Sequence, residues 1–175
     1  LPNFLIVGAA KCGTTSLFDY VNQHPDVFIP DKKECFFFSG LEAFNGPRND
    51  QEINASIVRS LEEYELLFEP AGSAHLRGDV SHDYLYYHQR SIPRILKYLG
   101  YEVPIVIILR DPRERAFSHY KHHVKAGTTK DTSFRQAIDL EATRINNGWS
   151  WNWHYLQVGM YADQVEAFQR AFKRV

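Results

Sequence analysis

Phe4-Leu-Ile-Val-Gly8-Ala-Ala-Lys11-Cys-Gly13-Thr14-Thr15-Ser16-Leu17 decides the reading of this chain. An apolar run from Phe4 to Gly8 leads into small residues, and a polar turn then opens a segment with Leu17, Phe18 and Val21 on one side. Strand, glycine loop and helix in that order aim backbone N–H groups at an anion. Gly8 and Gly13 have the spacing of a Walker A loop, but Thr14 stands where a nucleoside triphosphatase places its lysine. The loop's one cation is Lys11, inside the loop. The stretch predicts a phosphate cradle for something other than ATP.

Working outward, Pro104 to Leu109 reads as a buried parallel strand, because its residues are aliphatic without alternation. Leu76 to Val80 and the short run Val27 to Ile29 are further strands. Helices are expected from Thr14 to Gln23, from Ser60 (a capping box with Glu63) to Phe68, and from Arg90 to the stop at Gly100. Another runs from Pro112 to Lys125 with Ala116, Phe117, Tyr120 and Val124 inward. Ser133 and Gln136 cap one more, and Tyr161, Val165, Phe168 and Phe172 line the last. Residues 39–52, rich in glycine, proline and asparagine, are expected to be a loop. Strands alternating with helices predict a single α/β domain over 1–175, a three-layer sandwich with a central parallel sheet. Ligands of such sheets sit beyond the carboxyl ends of the strands, where Gly8–Thr15 and Arg110–Ser118 both fall.

Net charge is −1, which gives no general field for nucleic acid or a membrane surface, so no nucleic-acid partner is expected. No apolar run approaches the roughly 20 residues of a membrane span. The 175 residues include two cysteines, Cys12 and Cys35, expected as free thiols in a reducing, cytoplasmic setting. Leu1-Pro-Asn runs directly into a core strand and reads as a trimmed start; if an anchor preceded it, the Golgi lumen is the alternative. The eight histidines have no metal-site spacing, and His119, His122 and His123 read as a helix face. Of the run Trp149-Ser-Trp151-Asn-Trp153-His-Tyr155, not every ring is expected in the core; exposed ones would stack on a sugar or an apolar acceptor.

Lys11-x-Gly13-Thr14-Thr15-Ser16 after an apolar strand resembles the 5′-phosphosulfate loop of sulfotransferases that use 3′-phosphoadenosine 5′-phosphosulfate (PAPS). Ile105 to Tyr120, with Arg110 ending a strand and Ser118 eight residues later, resembles that family's 3′-phosphate motif. His24-Pro25-Asp26-Val27, Lys33-Glu34-Cys35-Phe36-Phe37 and Gly159-x-Tyr161-x-x-Gln164-x-Glu166 are similar to the branch that sulfates carbohydrates and other larger acceptors. The resemblance implies a P-loop-like sulfotransferase fold and sulfuryl transfer to an acceptor hydroxyl or amine. The acceptor remains open among small-molecule, glycan and lipid classes.

By that resemblance Lys11 stabilises the leaving phosphate, and Lys11, Cys12, Gly13, Thr14, Thr15 and Ser16 hold the 5′ side of the donor. Arg110 and Ser118 hold its 3′-phosphate, and adenosine 3′,5′-bisphosphate is the product; no metal is implied. Glu34 is the general base, with His82, His75 and Asp79 as alternatives and a Glu34 pair with Lys32 or Lys33 as the structural reading. Arg113 and Arg115 are expected to face water. The heparan-type branch carries an acidic–Lys–Ser triplet where this chain has Asp79-Val80-Ser81, which speaks against a close heparan-modifying relative. Family members continue with another strand and a basic, glycine-containing loop, so a fragment or an unusually short member is expected. Competing readings are a P-loop small-molecule kinase, which Thr14 contradicts, and a non-catalytic nucleotide-binding remnant.

Overall fold

In the computed structural model, which describes residues 1–175, β1 (Phe4–Gly8) lies inside a four-stranded parallel sheet. The order is β2-β3-β1-β4, with β2 at Val27–Phe28, β3 at Leu76–Val80 and β4 at Ile105–Ile107. Leu5 stands opposite Asp79 and Ile105, and Ile6 opposite Val80 and Val106. Side chains alternate along a strand, so β1 feeds two cores. Ile6 packs with Val80 and Ile29 under Leu17, Phe18 and Val21 of α1 (Thr14–Val21). Leu5 and Val7 join the larger core on the other face. That core takes Tyr64 from α3 (Leu61–Leu66), Ile95 from α4 (His88–Leu99) and Phe168 from α8 (Tyr161–Ala171). Helix, sheet and helix make the three expected layers.

The local signals hold where they are local. Ser60 accepts a hydrogen bond from the Glu63 N–H and Ser133 one from the Gln136 N–H, capping α3 and α6 (Phe134–Asp139). Gly100 follows the last residue of α4. Gly78 is needed for space, since a Cβ there would lie 2.3 Å from the Phe4 ring.

Four expectations are corrected. Residues 48–56, partly inside the expected loop, form α2 (Arg48–Ser56). This helix has almost no apolar stripe; Asn54 exchanges hydrogen bonds with the Phe44 backbone at 2.8 and 2.9 Å, and a buried carboxylate ties the helix to the distant chain. Asp50 accepts from the Ser150 N–H (2.7 Å), the Ser150 hydroxyl (2.6 Å) and the Trp153 indole N–H (2.9 Å). Second, β4 is shorter than Pro104–Leu109 and lies at a sheet edge, where Val106 and Leu109 are exposed. Its Ile105 N–H donates to the Arg174 carbonyl at 2.9 Å.

Third, α5 (Pro112–Ala126) buries Arg115, Ala116, His119 and His123, while Phe117 and Val124 are exposed. Arg115 does not face water; it donates to the Tyr155 carbonyl and lies 3.3 Å from His119 Nδ1. Fourth, Trp151, Trp153 and Tyr155 are core residues rather than exposed rings, with Trp153 4.4 Å from the His123 ring, while Trp149 is half-buried, so the run is not all core. Some of these buried polar groups meet one another, His119 Nε2 lying 2.8 Å from Asn152 Oδ1, whereas Trp151 Nε1 and the Tyr155 hydroxyl have no partner. Beyond these, α7 (Glu141–Asn146) carries Arg144, whose guanidinium pairs with Asp131 at 2.6 Å.

His123 receives the Thr128 hydroxyl at Nδ1 (2.7 Å) and places Nε2 2.9 Å from the Asn152 carbonyl, an arrangement for a neutral ring. Burial lowers it from 6.5 to about 4. Between those values the unfolded chain binds the proton and the folded chain does not, so this site loses stability as pH falls through that window. Buried Asp79 and Asp83 are raised and act in the opposite direction, so the comparison must be differential. The stability of the parent minus that of His123→Gln should fall on acidification, by up to about 1.4 kcal/mol per pH unit. Urea unfolding at a series of pH values measures it, and a constant difference contradicts it.

Candidate active site

Beyond the carboxyl end of β1 the chain turns through Ala9, Ala10, Lys11 and Cys12 into α1. Gly13 caps that helix with φ +98°, and no side chain caps its first N–H groups. A Cβ at Gly13 would meet nothing within 4 Å, so the glycine serves the left-handed backbone and leaves its face open. Free first-turn donors and a nearby lysine form an anion cradle. Two bonds of 2.8 Å, Ala9 N–H to the Ile108 carbonyl and Ile108 N–H to the Gly8 carbonyl, fasten the loop beside the segment leading to Arg110. The two anion motifs therefore share one edge of the sheet.

A cavity of about 490 Å³ opens at this edge. Lys11, Gly13, Thr14 and Thr15 form one wall; Glu34 and His82 form another. α2 contributes Asn49 and Ile53, α5 contributes His119 and His122, and the loop after α7 contributes Trp151 and Asn152. Lys11 (φ +66°) and Glu34 (φ +56°) are two of only three non-glycine residues in left-handed backbone, the third being Phe36. Such a residue costs about 1–3 kcal/mol and persists where the surroundings over-determine it. At Glu34 the surroundings are visible: its N–H donates to the Val80 carbonyl and the Val58 N–H to the Cys35 carbonyl, both at 2.9 Å. Beneath lies buried Asp79, accepting from Tyr64 (2.7 Å), Tyr84 (2.8 Å) and Ser81 (2.9 Å).

Glu34 Oε1 lies 2.8 Å from His82 Nδ1. The lysine pairing does not form; Lys33 instead stands over the Phe18 ring at 4.4 Å. Burial works to raise the Glu34 pKa, but the charge and hydrogen bond of His82, then Lys33 and Lys11, outweigh it and hold the carboxyl below its usual range. Burial likewise works to lower His82, and Glu34 outweighs it, so the imidazole is raised. Lys11 is lowered by burial, with Glu34 partly opposing. His119 is pushed far down by burial and by neighbouring Arg115, so it lines the cavity as a neutral ring.

The structure brings together Lys11, Gly13, Thr14, Thr15 and Glu34. Ser16 is exposed on the first turn of α1, outside the cavity wall. Cys12 also lies off the wall, with Sγ 3.5 Å from the Tyr161 hydroxyl. Neither Arg110 nor Ser118 lines the cavity; Arg110 is exposed and paired with Glu114 at 3.1 Å, and Ser118 is half-buried. Asp79 lies in the buried network and His75 at the surface, so of the alternative bases only His82 reaches the cavity. Val80 points into the core against Ile6 and Ile29. Asn49, Ile53 and Asn152 carry no signal in the sequence; Trp151 is expected there only as one ring of an aromatic run, and His119 and His122 only as a helix face. The spacing of His119 from His122, one helical turn, was their only local signal.

Residues 1–174 match the family model described as a sulfotransferase domain. The crystal structure of a sulfotransferase from Alicyclobacillus acidocaldarius superimposes with a TM-score of 0.92 at 40% identity, over 99% of this chain and 70% of that one. The mouse bifunctional heparan sulfate N-deacetylase/N-sulfotransferase 4 is 30% identical over 70% of this chain and 13% of its own length. Mouse heparan sulfate glucosamine 3-O-sulfotransferase 3B1 is 24% identical over 98% of this chain and 39% of its own. The chain thus spans well under half the length of these curated relatives. No helix is long and apolar enough to cross a membrane.

Proposed function

The chain belongs to the sulfotransferase-domain family, and on that premise we propose that it moves a sulfuryl group from PAPS to an acceptor hydroxyl or amine. The observation that carries this reading is a single cavity with Lys11 at the uncapped start of α1 on one wall and Glu34 on another. The donor, when bound, supplies an activated sulfuryl group whose leaving atom is a phosphate oxygen. Lys11 neutralises charge at that oxygen, while the N–H groups of Gly13, Thr14 and Thr15 and the hydroxyls of Thr14 and Thr15 hold the phosphate. Glu34 accepts the acceptor's proton. Arg110 and Ser118, stitched beside the loop through Ile108, hold the 3′-phosphate. Arg110 has to leave Glu114 to do so, and an exposed pair of that kind resists by about 1 kcal/mol or less.

The cavity walls mix Asn49, Asn152 and His122 with Ile53 and Trp151, a lining that fits a hydroxylated acceptor such as a glycan or a polar small molecule. Both cysteines are unpaired, which fits the cytoplasm; attachment to a lumenal protein would make the Golgi the alternative.

Calorimetry with nucleotides tests the donor assignment. Adenosine 3′,5′-bisphosphate should bind well and 5′-AMP weakly, with ATP and magnesium no better than 5′-AMP. Arg110→Ala should erase most of the difference, because a charge-assisted contact contributes about 1.5–3 kcal/mol. Equal affinity of the parent protein for the bisphosphate and 5′-AMP removes Arg110 and Ser118 from the site.

A further inference from the structure

His82 has a single polar contact, and that contact is Glu34. Nδ1 lies 2.8 Å from Oε1, whereas Nε2 is buried without a partner. The two side chains are also unequally placed. Glu34 is 39% exposed toward the cavity and His82 only 8%, so the imidazole stands behind the carboxylate. The ring is fixed from several sides. Its centroid lies 4.5 Å from Trp151 in an edge-to-face contact. The turn that carries it is clamped to β1 by Ser81 N–H to the Ile6 carbonyl (3.2 Å) and Leu85 N–H to the Val7 carbonyl (2.8 Å). Asp83 next to it accepts from the Ser39 hydroxyl.

We propose that His82 is a positioning residue for the Glu34 base, holding Oε1 so that Oε2 faces the acceptor, and that protonating His82 switches the base off. The proposal rests on Glu34 being the base. With the ring neutral, Nδ1–H donates to Oε1 and leaves Nε2 an unpartnered acceptor, a smaller cost than burying an unpartnered charged N–H there. Oε2 then takes the acceptor's proton as the acceptor oxygen bonds to sulfur; the O–H bond breaks, the bond from sulfur to the donor's phosphate oxygen breaks with its electron pair leaving on adenosine 3′,5′-bisphosphate, and the proton stays on Glu34 as a neutral carboxylic acid. With the ring charged, the carboxylate is held by a cation at 2.8 Å, and its basicity falls. A charged ring would also carry an N–H at Nε2 with no acceptor.

The groups that set this switch are few. Glu34 and Asp83 favour the charged ring and Lys11 opposes it. His119 and His122 face the same cavity from α5, both held toward neutrality by burial first. A rate that depends on neutral His82 therefore falls on the acid side, at a pH above that of an ordinary imidazole.

The first test needs no turnover. Ring resonances of His82, followed by NMR across pH, should report a titration that drops by at least about one unit in Glu34→Gln, where burial acts unopposed by the carboxylate. An unchanged titration overturns the coupling. The second test follows single-turnover transfer from PAPS to an aliphatic alcohol, methyl glucoside, across pH. His82→Asn keeps a donor for Oε1 and cannot titrate, so the acid limb should move down into the carboxylate range with the plateau largely kept. His82→Ala should lose the plateau as well, by up to about 10²-fold. An unmoved limb in His82→Asn overturns the switch. If Glu34→Gln itself keeps full rate, the base assignment fails; if it is slow and the His82 limb unmoved, only the role of His82 fails.

Discussion

Lys11→Ala should lower the rate of sulfuryl transfer on the order of 10²–10³-fold while donor affinity falls much less. The reason is when the charge is needed. A bound donor already has the N–H groups at the start of α1 for its phosphate, and these are uncapped in the free protein. As the S–O bond lengthens, negative charge grows on the bridging oxygen, and a cation beside the loop stabilises that state more than the ground state. Lys11 suits this because its position is fixed. Its backbone is left-handed (φ +66°), and the Cys12 N–H bond to the Ala9 carbonyl (3.2 Å) closes the turn around it. Partial burial lowers its pKa, and the reduced screening there lets the charged ammonium act more strongly on a neighbouring anion. Single-turnover rates and bisphosphate affinity, measured together, separate the two effects. A mutant that loses affinity but keeps its rate makes Lys11 a phosphate anchor and nothing more.

The loop of Lys11 was legible because its determinants are adjacent in sequence. An apolar strand, a glycine that tolerates φ +98° and a helix with Leu17, Phe18 and Val21 on one face are decided within a few turns of chain. The Ser60 and Ser133 caps were legible for the same reason. α2 was not, since its place depends on Asp50 meeting Ser150 and Trp153, a hundred residues away. Without an apolar stripe, Arg48-Asn-Asp-Gln-Glu gives no periodic signal to read.

The same cause hid half of the cavity. The buried face of α5 is Arg115, His119 and His123, polar residues at helical spacing that a hydrophobic pattern assigns to solvent. Their burial is compensated by Asn152, Tyr155 and Thr128, which only the folded chain brings near. Trp151 and Trp153 likewise look like surface aromatics until these histidines are found beneath them. Glu34 was found through resemblance to a family motif; its partner could not be, because a lysine run beside it offers the nearer sequence pairing.

That partner shapes the last prediction. Glu34→Gln preserves the volume and removes the basic oxygen, so bisphosphate binding should survive while transfer falls by about 10²–10⁴-fold, the usual cost of losing a general base. The geometry favours the carboxylate for the task. It is the exposed member of the Glu34–His82 pair, in the cavity shared with Lys11, and the backbone bond to Val80 holds it in place. Its depressed pKa keeps it ionised through the neutral range, and its basicity is fullest where His82 is neutral. Basicity counts most for an acceptor that holds its proton tightly. It follows that an acidic phenol should suffer less from Glu34→Gln than an aliphatic alcohol, since it needs less help to lose its proton. A purely structural Glu34 predicts something else: near-normal rates on both acceptors and a stability loss of about 1–3 kcal/mol from the buried His82 left without its carboxylate. Single-turnover rates on a phenol and an alcohol, with urea unfolding of the same variant, decide between them. Rates within a few-fold of the parent on the alcohol would take the base away from Glu34.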